Sequence, residues 1–255
     1  MANQCPDFVP GGAFVLGGSG GLGSAVCLAF ARAGVPVALS YRSDRQAAED
    51  VARQIRAAGS TAHIYQLDAR DPDAVQATLD LAAAECGGLG SVIYAAGPPF
   101  KPQFFGKTPP ETWRDWLEGD VLAAIQLAQA SIPHLRSSKG SFVALSTYQA
   151  NLIEVRGGVS AISKAAVDRM IAVIAKEEGR YGVRANSLRC GWIESETNDK
   201  LLADMPELAE AKSKSIPLGR LGKPAEIGDT VVFLCSRQAG FITGQAITAD
   251  GGESL

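Results

Sequence analysis

A glycine cluster near the start of the chain has the composition and spacing of a phosphate-binding turn. An apolar run predicts a short buried strand over 13–16, and helical spacing resumes over 22–33. Because glycine has no Cβ atom, this backbone can approach a pyrophosphate closely, and the amides of the first helical turn point at its negative charge. The pattern predicts a strand, a phosphate-sized turn and a helix, although glycine-rich turns also occur as plain loops. The turn includes Gly17, Ser19, Gly21, Leu22 and Gly23.

The end of the second predicted strand carries a cation and no acid. Strand 35–40 is followed by Tyr41, Arg42 and Ser43. In a dinucleotide-binding fold this position meets the adenosine ribose, where a carboxylate would accept hydrogen bonds from a free 2′-hydroxyl and a cation would neutralise a 2′-phosphate. Arg42 and Ser43 therefore favour NADP over NAD. In the alternative, Arg42 is a solvated surface charge and Ser43 only caps the next helix, because residues 43–46 fit a capping box.

Charge and composition exclude several kinds of partner. The formal net charge is −3 and no run of lysines and arginines occurs, which argues against a nucleic-acid surface and a polybasic membrane patch. No apolar run approaches the roughly 20 residues that span a bilayer, and the N-terminus lacks the pattern of a secretion signal. The five cysteines are far apart, and neither His63 nor His134 has a metal partner nearby, so no metal site is predicted. We expect a cytoplasmic protein that binds a small-molecule substrate, with no nucleic acid and no membrane.

The order of predicted elements indicates one α/β domain. Strands alternate with helices along all 255 residues, without a composition break or an internal repeat. Asp71-Pro72 announces one helix, and a capping box at 108–111 opens a long helix through Gln129. Further strands are predicted over 61–67, 91–94 and 141–145. Because this alternation requires parallel strands with crossover helices, the expected fold is a single doubly wound, Rossmann-like parallel sheet with helices on both faces, spanning 1–255.

Short motifs follow one another in a fixed order along nearly the whole chain. They are the glycine turn, Asp68, Ala96-Gly97, Ser163-Lys164-Ala165-Ala166, Arg184-Ala185-Asn186-Ser187, the segment 217–224, Ile242-Thr243-Gly244-Gln245 and Asp250-Gly251-Gly252. In type and order they resemble the signatures of the classical short-chain dehydrogenase/reductase family. Random agreement over so many ordered motifs is implausible.

This resemblance implies an oxidoreductase with a nicotinamide cofactor, and with Arg42 in place the implied cofactor is NADP. It further implies that segment 192–216 contacts the cofactor and forms a substrate lid. The chain is expected to form a homotetramer or homodimer through the long helices after strands four and five. The cofactor-binding residues implied by the resemblance are Gly17, Ser19, Gly21, Leu22, Gly23, Tyr41, Arg42, Ser43, Asp68, Ala69, Ala96, Gly97, Lys164, Gly191 and Ile193.

The active site implied by the resemblance departs from the family pattern. In the family a tyrosine four residues before the lysine exchanges a proton with substrate oxygen, and the lysine lowers the pKa of that phenol. Here Lys164 is present but the tyrosine position is Ser160; the serine position is Thr147, and the asparagine position on the long helix is Asp120. An aliphatic hydroxyl starts with a pKa several units above that of a phenol, so Ser160 is a poor general acid. Nearby alternatives are the phenol of Tyr148 and the carboxyl groups of Asp120 and Glu154, and Tyr148 also fits a packing role.

Three interpretations remain open from the sequence. In the first, the protein transfers hydride from NADPH to a group that does not need the tyrosine, such as an activated C=C bond, an iminium carbon or a carbonyl with another proton source. In the second, the scaffold uses bound dinucleotide as a structural part of a cyclase or isomerase. In the third, it is a non-catalytic scaffold or regulatory subunit. All three retain cofactor binding through the glycine turn, Arg42 and Lys164.

Overall fold

A seven-stranded parallel sheet forms the centre of the protein. The computed structural model describes residues 7–195, 207, 212 and 214–255. The strand order is β3-β2-β1-β4-β5-β6-β7, and every neighbouring pair is parallel. The strands are β1 Gly12–Leu16, β2 Val37–Tyr41, β3 Ala62–Gln66, β4 Leu89–Tyr94, β5 Ser141–Thr147, β6 Arg184–Cys190 and β7 Ala246–Ala249. This order reverses direction at β1 and β4, which confirms the predicted doubly wound fold.

Helices cover both faces of the sheet. One layer packs α1 Gly21–Arg32 against α2 Arg45–Ala57 and α7 Pro224–Cys235. The other layer packs α5 Ala123–Ser138 against α3 Pro72–Cys86 and α6 Gly158–Glu178. Each layer encloses its own apolar cluster, because β1, β4 and β5 contribute alternate side chains to opposite faces. The core thereby fixes the carboxyl ends of the strands, where ligands bind in this class of fold.

The long helix predicted after residue 108 is built from three parts. It consists of α4 Pro110–Trp116, a π-helical turn Leu117–Leu122 and α5, which continues to Ser138 instead of ending at Gln129. The predicted capping box at its start is wrong, since the Thr108 hydroxyl donates to the Phe104 carbonyl at 3.0 Å and no side chain caps α4. A π-turn adds a residue to the helical repeat, and such turns occur frequently at functional sites.

The prediction of a capping box at residues 43–46 is also wrong. The residue that caps α2 is Asp44, whose carboxylate accepts from the Ala47 amide at 2.9 Å. Gln46 bonds Asp50 instead of reaching back to the cap. Ser43 therefore keeps its hydroxyl free of the helix terminus.

Each of the two histidines lies beside one carboxylate. His63 lies 3.1 Å from Glu85, and His134 lies 2.9 Å from Asp80. Among the described residues, no cluster of three or more His, Cys, Asp or Glu side chains is arranged to hold a metal ion. No helix in the described part of the chain is long and apolar enough to cross a membrane.

Candidate active site

The glycine turn connects β1 to α1 and is shaped by contacts that only glycine permits. Gly17 has φ +77°, and a Cβ there would lie 2.9 Å from the Ala95 carbonyl oxygen. A Cβ on Gly23 would lie 2.1 Å from the Gly17 carbonyl oxygen. Gly21, by contrast, faces open space, with nothing within 4 Å of a Cβ. Gly17 and Gly23 are thus needed to close the turn, whereas Gly21 leaves room for a ligand.

The start of α1 is open to an anion. The helix is capped by Gly20 without any side-chain hydrogen bond, and its first turn contains no acid. The first-turn amides therefore remain available, and the helix dipole adds positive potential at this end. The Ser40 hydroxyl accepts from the Gly17 amide at 3.2 Å and fixes the entry to the turn.

A cleft of about 550 Å³ extends from this turn along the carboxyl edge of β1, β2 and β4. Its volume is in the range of small-molecule and cofactor sites. Nine of the predicted cofactor residues line it: Gly17, Ser19, Tyr41, Arg42, Ser43, Asp68, Ala69, Ala96 and Gly97. Gly21, Leu22 and Gly23 form the first turn of α1 beside it.

Charged groups gather at the end of the cleft next to β2 and β3. Arg42 and Ser43 are exposed there, and the Gln66 side chain donates to the Arg42 carbonyl at 3.2 Å. Arg70 binds the Asp68 carboxylate with its Nε and Nη2 atoms, at distances of 2.7–3.2 Å. These hydrogen bonds lower the pKa of Asp68 to about 2. The Arg42 guanidinium is therefore a cation at this end that is not bound to Asp68.

The other end of the cleft meets a buried ion pair. Lys164, on α6, donates from Nζ to Asp120 Oδ1 at 2.7 Å and to the Ala96 carbonyl at 3.1 Å. Asp120 lies within the π-helical turn and is fully buried, and its Oδ2 atom has no hydrogen-bond partner. A Cβ on Gly97 would lie 3.6 Å from both Asp120 Oδ1 and Lys164 Nζ, so this cleft-lining glycine brings the cleft close to both charged groups.

The phenol of Tyr94 completes this buried group. Its hydroxyl lies 2.9 Å from Asp120 Oδ1 and 3.0 Å from the Asp120 carbonyl, and the Lys164 ammonium sits 4.9 Å from the centre of its ring. Burial, the charge of Asp120 and this hydrogen bond all raise the pKa of Tyr94 well above its usual value. Tyr94 is therefore a neutral donor to Asp120 and is closed off from the cleft.

Two hydroxyls occupy the positions that precede Lys164 in the family pattern. Ser160 is half-buried on α6, one helical turn before Lys164, and so lies on the same face of that helix. Thr147 ends β5, where its hydroxyl accepts from the Gln149 amide at 3.3 Å and its backbone is in register with Cys190. Cys190 is itself buried, and burial raises the pKa of its thiol to about 12. Within the described part of the chain, neither hydroxyl has a carboxylate or an imidazole as a hydrogen-bond partner.

Tyr148 belongs to a second polar network beyond Thr147. Its hydroxyl donates to Glu154 Oε1 at 2.6 Å and accepts from the Trp192 indole at 2.9 Å. Lys212 donates to the same Glu154 oxygen and, at 2.8 Å, to Glu253 Oε1. Burial, together with the hydrogen bond to Glu154, raises the pKa of Tyr148 far above its usual value. In this conformation the phenol is engaged as a packing and hydrogen-bonding group.

The last two predicted cofactor residues lie beyond β6, outside the lining of the cleft. The Gly191 amide donates to the Ala249 carbonyl at 2.9 Å, and a Cβ on Gly191 would lie 2.6 Å from the Cα of Asp250. Ile193 is buried and forms a bridge with Gly222. Their contact with a cofactor stays a prediction, as does the lid at 192–216, since most of that segment lies outside the described residues.

The cleft also contains residues that the sequence did not single out. Gly20, Ser40, Asp44, Arg70 and Asp115 are among them. Ser40 and Asp44 flank the predicted ribose-contacting positions, and Arg70 follows Asp68 by two residues, so proximity in sequence was a usable signal for these three. Asp115 precedes Asp120 by five residues on the long helix and carried no comparable signal.

The fold and this cleft define a dinucleotide-binding protein of the doubly wound α/β class. A family model described as enoyl-(acyl carrier protein) reductase matches residues 17–254. The chain is 30% identical over 249 residues to the 3-oxoacyl-(acyl-carrier-protein) reductase FabG of Staphylococcus aureus, covering 94% of this chain and 96% of that protein. It is also 30% identical over 246 residues to the L-fucose dehydrogenase of Oryctolagus cuniculus, covering 94% and 84%.

Solved structures agree with the sequence comparisons. The short-chain dehydrogenase/reductase from Serratia marcescens superimposes with a TM-score of 0.89 at 27% identity, covering 97% of this chain and 99% of that one. A short-chain type dehydrogenase/reductase from Mycobacterium ulcerans gives a TM-score of 0.92 at 26% identity, covering 98% and 91%. The chain belongs to the short-chain dehydrogenase/reductase family and is an oxidoreductase of that family. Nicotinamide dinucleotides are the cofactors of this class.

Proposed function

We propose that the protein is an NADP(H)-dependent oxidoreductase whose reaction does not depend on a tyrosine acid. One observation carries this proposal: Lys164 is kept at the nicotinamide end of the cleft, yet it is paired with Asp120 and has Ser160 where a phenol would stand. The lysine and the cleft are the parts needed to hold a dinucleotide. The missing part is the proton donor.

The residues around the cleft fit a bound dinucleotide. The α1 amides and the open space at Gly21 would hold the pyrophosphate. Lys164 would hold the nicotinamide ribose, because its Nζ lies 3.6 Å from the position of a Cβ on Gly97, which lines the cleft. When bound, the reduced cofactor supplies a hydride.

The preference for NADP rests on the positive charge at the end of the cleft next to β2 and β3. Arg42 offers a guanidinium and Ser43 a hydroxyl that α2 does not use, and a 2′-phosphate needs both kinds of donor. Two acids line this end of the cleft, and both are engaged: Arg70 binds the Asp68 carboxylate, and the Asp44 carboxylate caps α2. NADP is therefore favoured over NAD.

The substrate classes follow from which hydroxyls are free. Tyr94 is closed off and Tyr148 donates to Glu154, so of the predicted catalytic positions in the described part of the chain, Ser160 and Thr147 offer hydroxyls to a substrate. These can donate a hydrogen bond but are weak acids. An iminium carbon or an activated C=C bond accepts hydride without a strong acid at that position. A carbonyl would need a proton from elsewhere, but the named activities of the relatives keep ketones among the substrates to test.

We also propose a homodimer or homotetramer in the cytoplasm. Leu117 and Leu122, on the π-turn, and Ile162 and Val173, on α6, are each about half-exposed and offer apolar surface that a second subunit would cover. Light scattering on the purified protein tests this assembly directly.

The proposed function is tested by titrating the purified protein with NADPH and NADH by calorimetry, then assaying NADPH oxidation with iminium, activated C=C and ketone substrates. We expect NADPH to bind at least about tenfold more tightly than NADH, because charge-assisted hydrogen bonds to the 2′-phosphate are lost with NADH. Binding of neither dinucleotide would overturn the proposal. Equal binding of the two would overturn the NADP assignment while leaving the oxidoreductase assignment intact.

A further inference from the structure

We infer that the reacting end of this site is built for a substrate carrying positive charge, a cationic C=N bond, and that Asp120 is the residue that determines this specificity. The inference rests on the proposed function, because it concerns the substrate that accepts the hydride. It starts from the balance of buried charges around the nicotinamide end of the cleft.

The first observation is that the Lys164 charge is cancelled. In the family pattern an asparagine stands at position 120, so the lysine alone leaves a net positive charge; here the carboxylate of Asp120 lies 2.7 Å from Lys164 Nζ. Asp120 is fully buried and Lys164 nearly so, and water therefore screens neither charge well. A neutral pair is poorly suited to stabilise the oxyanion that develops when a ketone is reduced.

The second observation is an unsatisfied carboxylate oxygen in that pair. Asp120 Oδ1 accepts both from Lys164 and from Tyr94, whereas Oδ2 is buried without a partner. A buried carboxylate oxygen without a donor is costly unless positive potential is supplied to it. A cation bound on the far side of Gly97 would supply it through the low-dielectric interior.

The third observation is an excess of carboxylates just beyond Thr147. Thr147, Cys190 and Ala249 are in register at the ends of β5, β6 and β7, and the network of Tyr148, Trp192, Lys212, Glu154 and Glu253 lies directly past this row. Two carboxylates share the one ammonium group of Lys212. The Glu253 side chain is 5% exposed, and its Oε2 atom is buried without a partner. Among the groups that the structure describes, this network therefore has one more carboxylate than ammonium group.

Two cations also lie beside the Phe104 ring. Arg156 lies 4.7 Å from the centre of the Phe104 ring, and Lys107 lies 6.0 Å from the centre of the same ring. Arg156 and Lys107 are both exposed to solvent, where their fields are screened. Among the described residues, the less exposed charges at this end are therefore the neutral pair of Lys164 and Asp120 and the network in which Glu154 and Glu253 share Lys212.

The chemistry balances without a proton donor. The iminium carbon accepts a hydride, with its electron pair, from C4 of the reduced nicotinamide, and the C=N π electrons become the lone pair of the nitrogen. The iminium is reduced to an amine and the nicotinamide is oxidised. Because no oxyanion forms, the absence of a phenol at position 160 carries no penalty, and the positive charge moves from substrate to nicotinamide within the same negative potential.

A first experiment measures the charge of the site without turnover. The dissociation constants of NADP⁺ and NADPH are measured by calorimetry for the wild type and for Asp120→Asn, using the cationic nicotinamide ring of NADP⁺ as the probe. We expect Asp120→Asn to weaken NADP⁺ relative to NADPH by about tenfold, because Lys164 is then left uncompensated. Tyr94→Phe removes the neighbouring hydroxyl but no charge, and is expected to leave this ratio within about twofold.

The outcomes of this first experiment separate the two proposals. An unchanged ratio in an Asp120→Asn protein that still binds NADPH overturns the inference and leaves the proposed function standing. Failure of the wild type to bind either dinucleotide overturns the proposed function itself. An equal shift of the ratio in Tyr94→Phe would assign the effect to packing and also overturn the inference. Circular dichroism confirms that each variant is folded.

A second experiment uses the chemical class directly. NADPH oxidation is followed with the N-methyl-3,4-dihydroisoquinolinium cation and with the neutral ketone 1-tetralone, which has a similar two-ring shape. We expect the wild type to reduce the cation and to favour it in kcat/KM, and Asp120→Asn to lower the cation-to-ketone ratio by at least about tenfold. Reduction of the ketone in preference to the cation, or no reduction of the cation at saturating NADPH, overturns the inference.

Discussion

Lys164 Nζ lies 2.7 Å from Asp120 Oδ1, and the carboxylate is fully buried. The two groups come from different elements, α6 and the π-helical turn, and Tyr94 adds its hydroxyl from the end of β4. The lysine is thus held by a partner whose negative charge compensates its own. Stability and reactivity are therefore coupled at this position.

Replacing Lys164 by methionine is expected to destabilise the protein by about 3–5 kcal/mol, because it leaves the buried Asp120 carboxylate without its cation. The double variant Lys164→Met/Asp120→Asn should be more stable than Lys164→Met, since the unpaired charge is then removed. Urea unfolding of the three proteins measures both values. A double variant no more stable than the single one would contradict a buried ionic interaction between these residues.

Replacing Arg42 by alanine is expected to weaken NADPH binding by roughly ten- to a hundredfold, the range for charge-assisted hydrogen bonds to one phosphate. NADH binding should change little because NADH has no 2′-phosphate. Arg45→Ala is the matched control, since Arg45 pairs with Glu49 on the exposed surface of α2. Equal losses for NADPH and NADH by calorimetry would rule out the phosphate assignment.

Two glycine variants are expected to separate turn closure from ligand binding. Gly23→Ala places a Cβ 2.1 Å from the Gly17 carbonyl and should destabilise the fold by at least about 1–3 kcal/mol, the usual cost of overpacking. Gly21→Ala meets nothing within 4 Å, so the fold should keep its stability while both dinucleotides bind more weakly. Thermal unfolding and calorimetry measure the two effects. Unaltered dinucleotide affinity in Gly21→Ala would show that the pyrophosphate does not lie at this turn.

Ser160→Ala is expected to change kcat only a few-fold, because no proton transfer is assigned to this hydroxyl. A residue that transfers a proton typically contributes about a hundredfold or more. Steady-state assays with the substrates identified in the screen give the answer, and a loss in that larger range would identify Ser160 as the acid. Ser160→Tyr is the companion variant, with increased activity on simple ketones as the expected outcome.

We expect the free energy of unfolding to depend on pH through the network around Glu154. Burial alone would raise the pKa of Glu154, but hydrogen bonds from Lys212, Tyr148 and Gln149 outweigh it and hold the pKa below its usual value. The ionised group therefore stabilises the fold fully above about pH 5, and this contribution is lost as the pH falls through the lowered native value.

Glu154→Gln should consequently lower the melting temperature at pH 7, and its difference from the wild type should shrink below about pH 4. Glu49→Gln, in an exposed i,i+4 pair with Arg45, serves as the control and should have a small effect at every pH. If the melting temperature of Glu154→Gln were lower than that of the wild type by the same amount at every pH, this would argue against an ionised Glu154 in the native network.

The sequence predicted more of the scaffold than of the site. The parallel sheet, the glycine turn and the strand-end positions of Arg42 and Asp68 follow from local pattern and motif order, and the structure has them in these places. The sequence also singled out Lys164 and Asp120, but it did not predict their contact. That contact depends on how a π-turn rotates one helix against another, which no local pattern specifies.

Local hydrogen bonding was the least predictable feature. Thr108 and Ser43 both fit capping boxes by spacing, but Thr108 bonds Phe104 and the cap of α2 is Asp44. The Phe104 carbonyl accepts the hydrogen bond of the Thr108 hydroxyl, and the Asp44 carboxylate accepts from the Ala47 amide at the start of α2. Tyr148 and Glu154 were each considered as acids, whereas the structure pairs them with each other, because the loop between β5 and α6 folds back over only six residues.

The π-helical turn at Leu117–Leu122 also bears on how such a site can arise and be lost. Each residue of a helix advances the side chains by about 100°, so deleting one residue here would restore α-helical spacing and turn Asp120 away from Lys164. The sheet lies outside this turn, whereas Gly119 of the turn lines the cleft. Loss of a single codon in the gene is therefore expected to change both the charge beside Lys164 and the shape of the cleft wall.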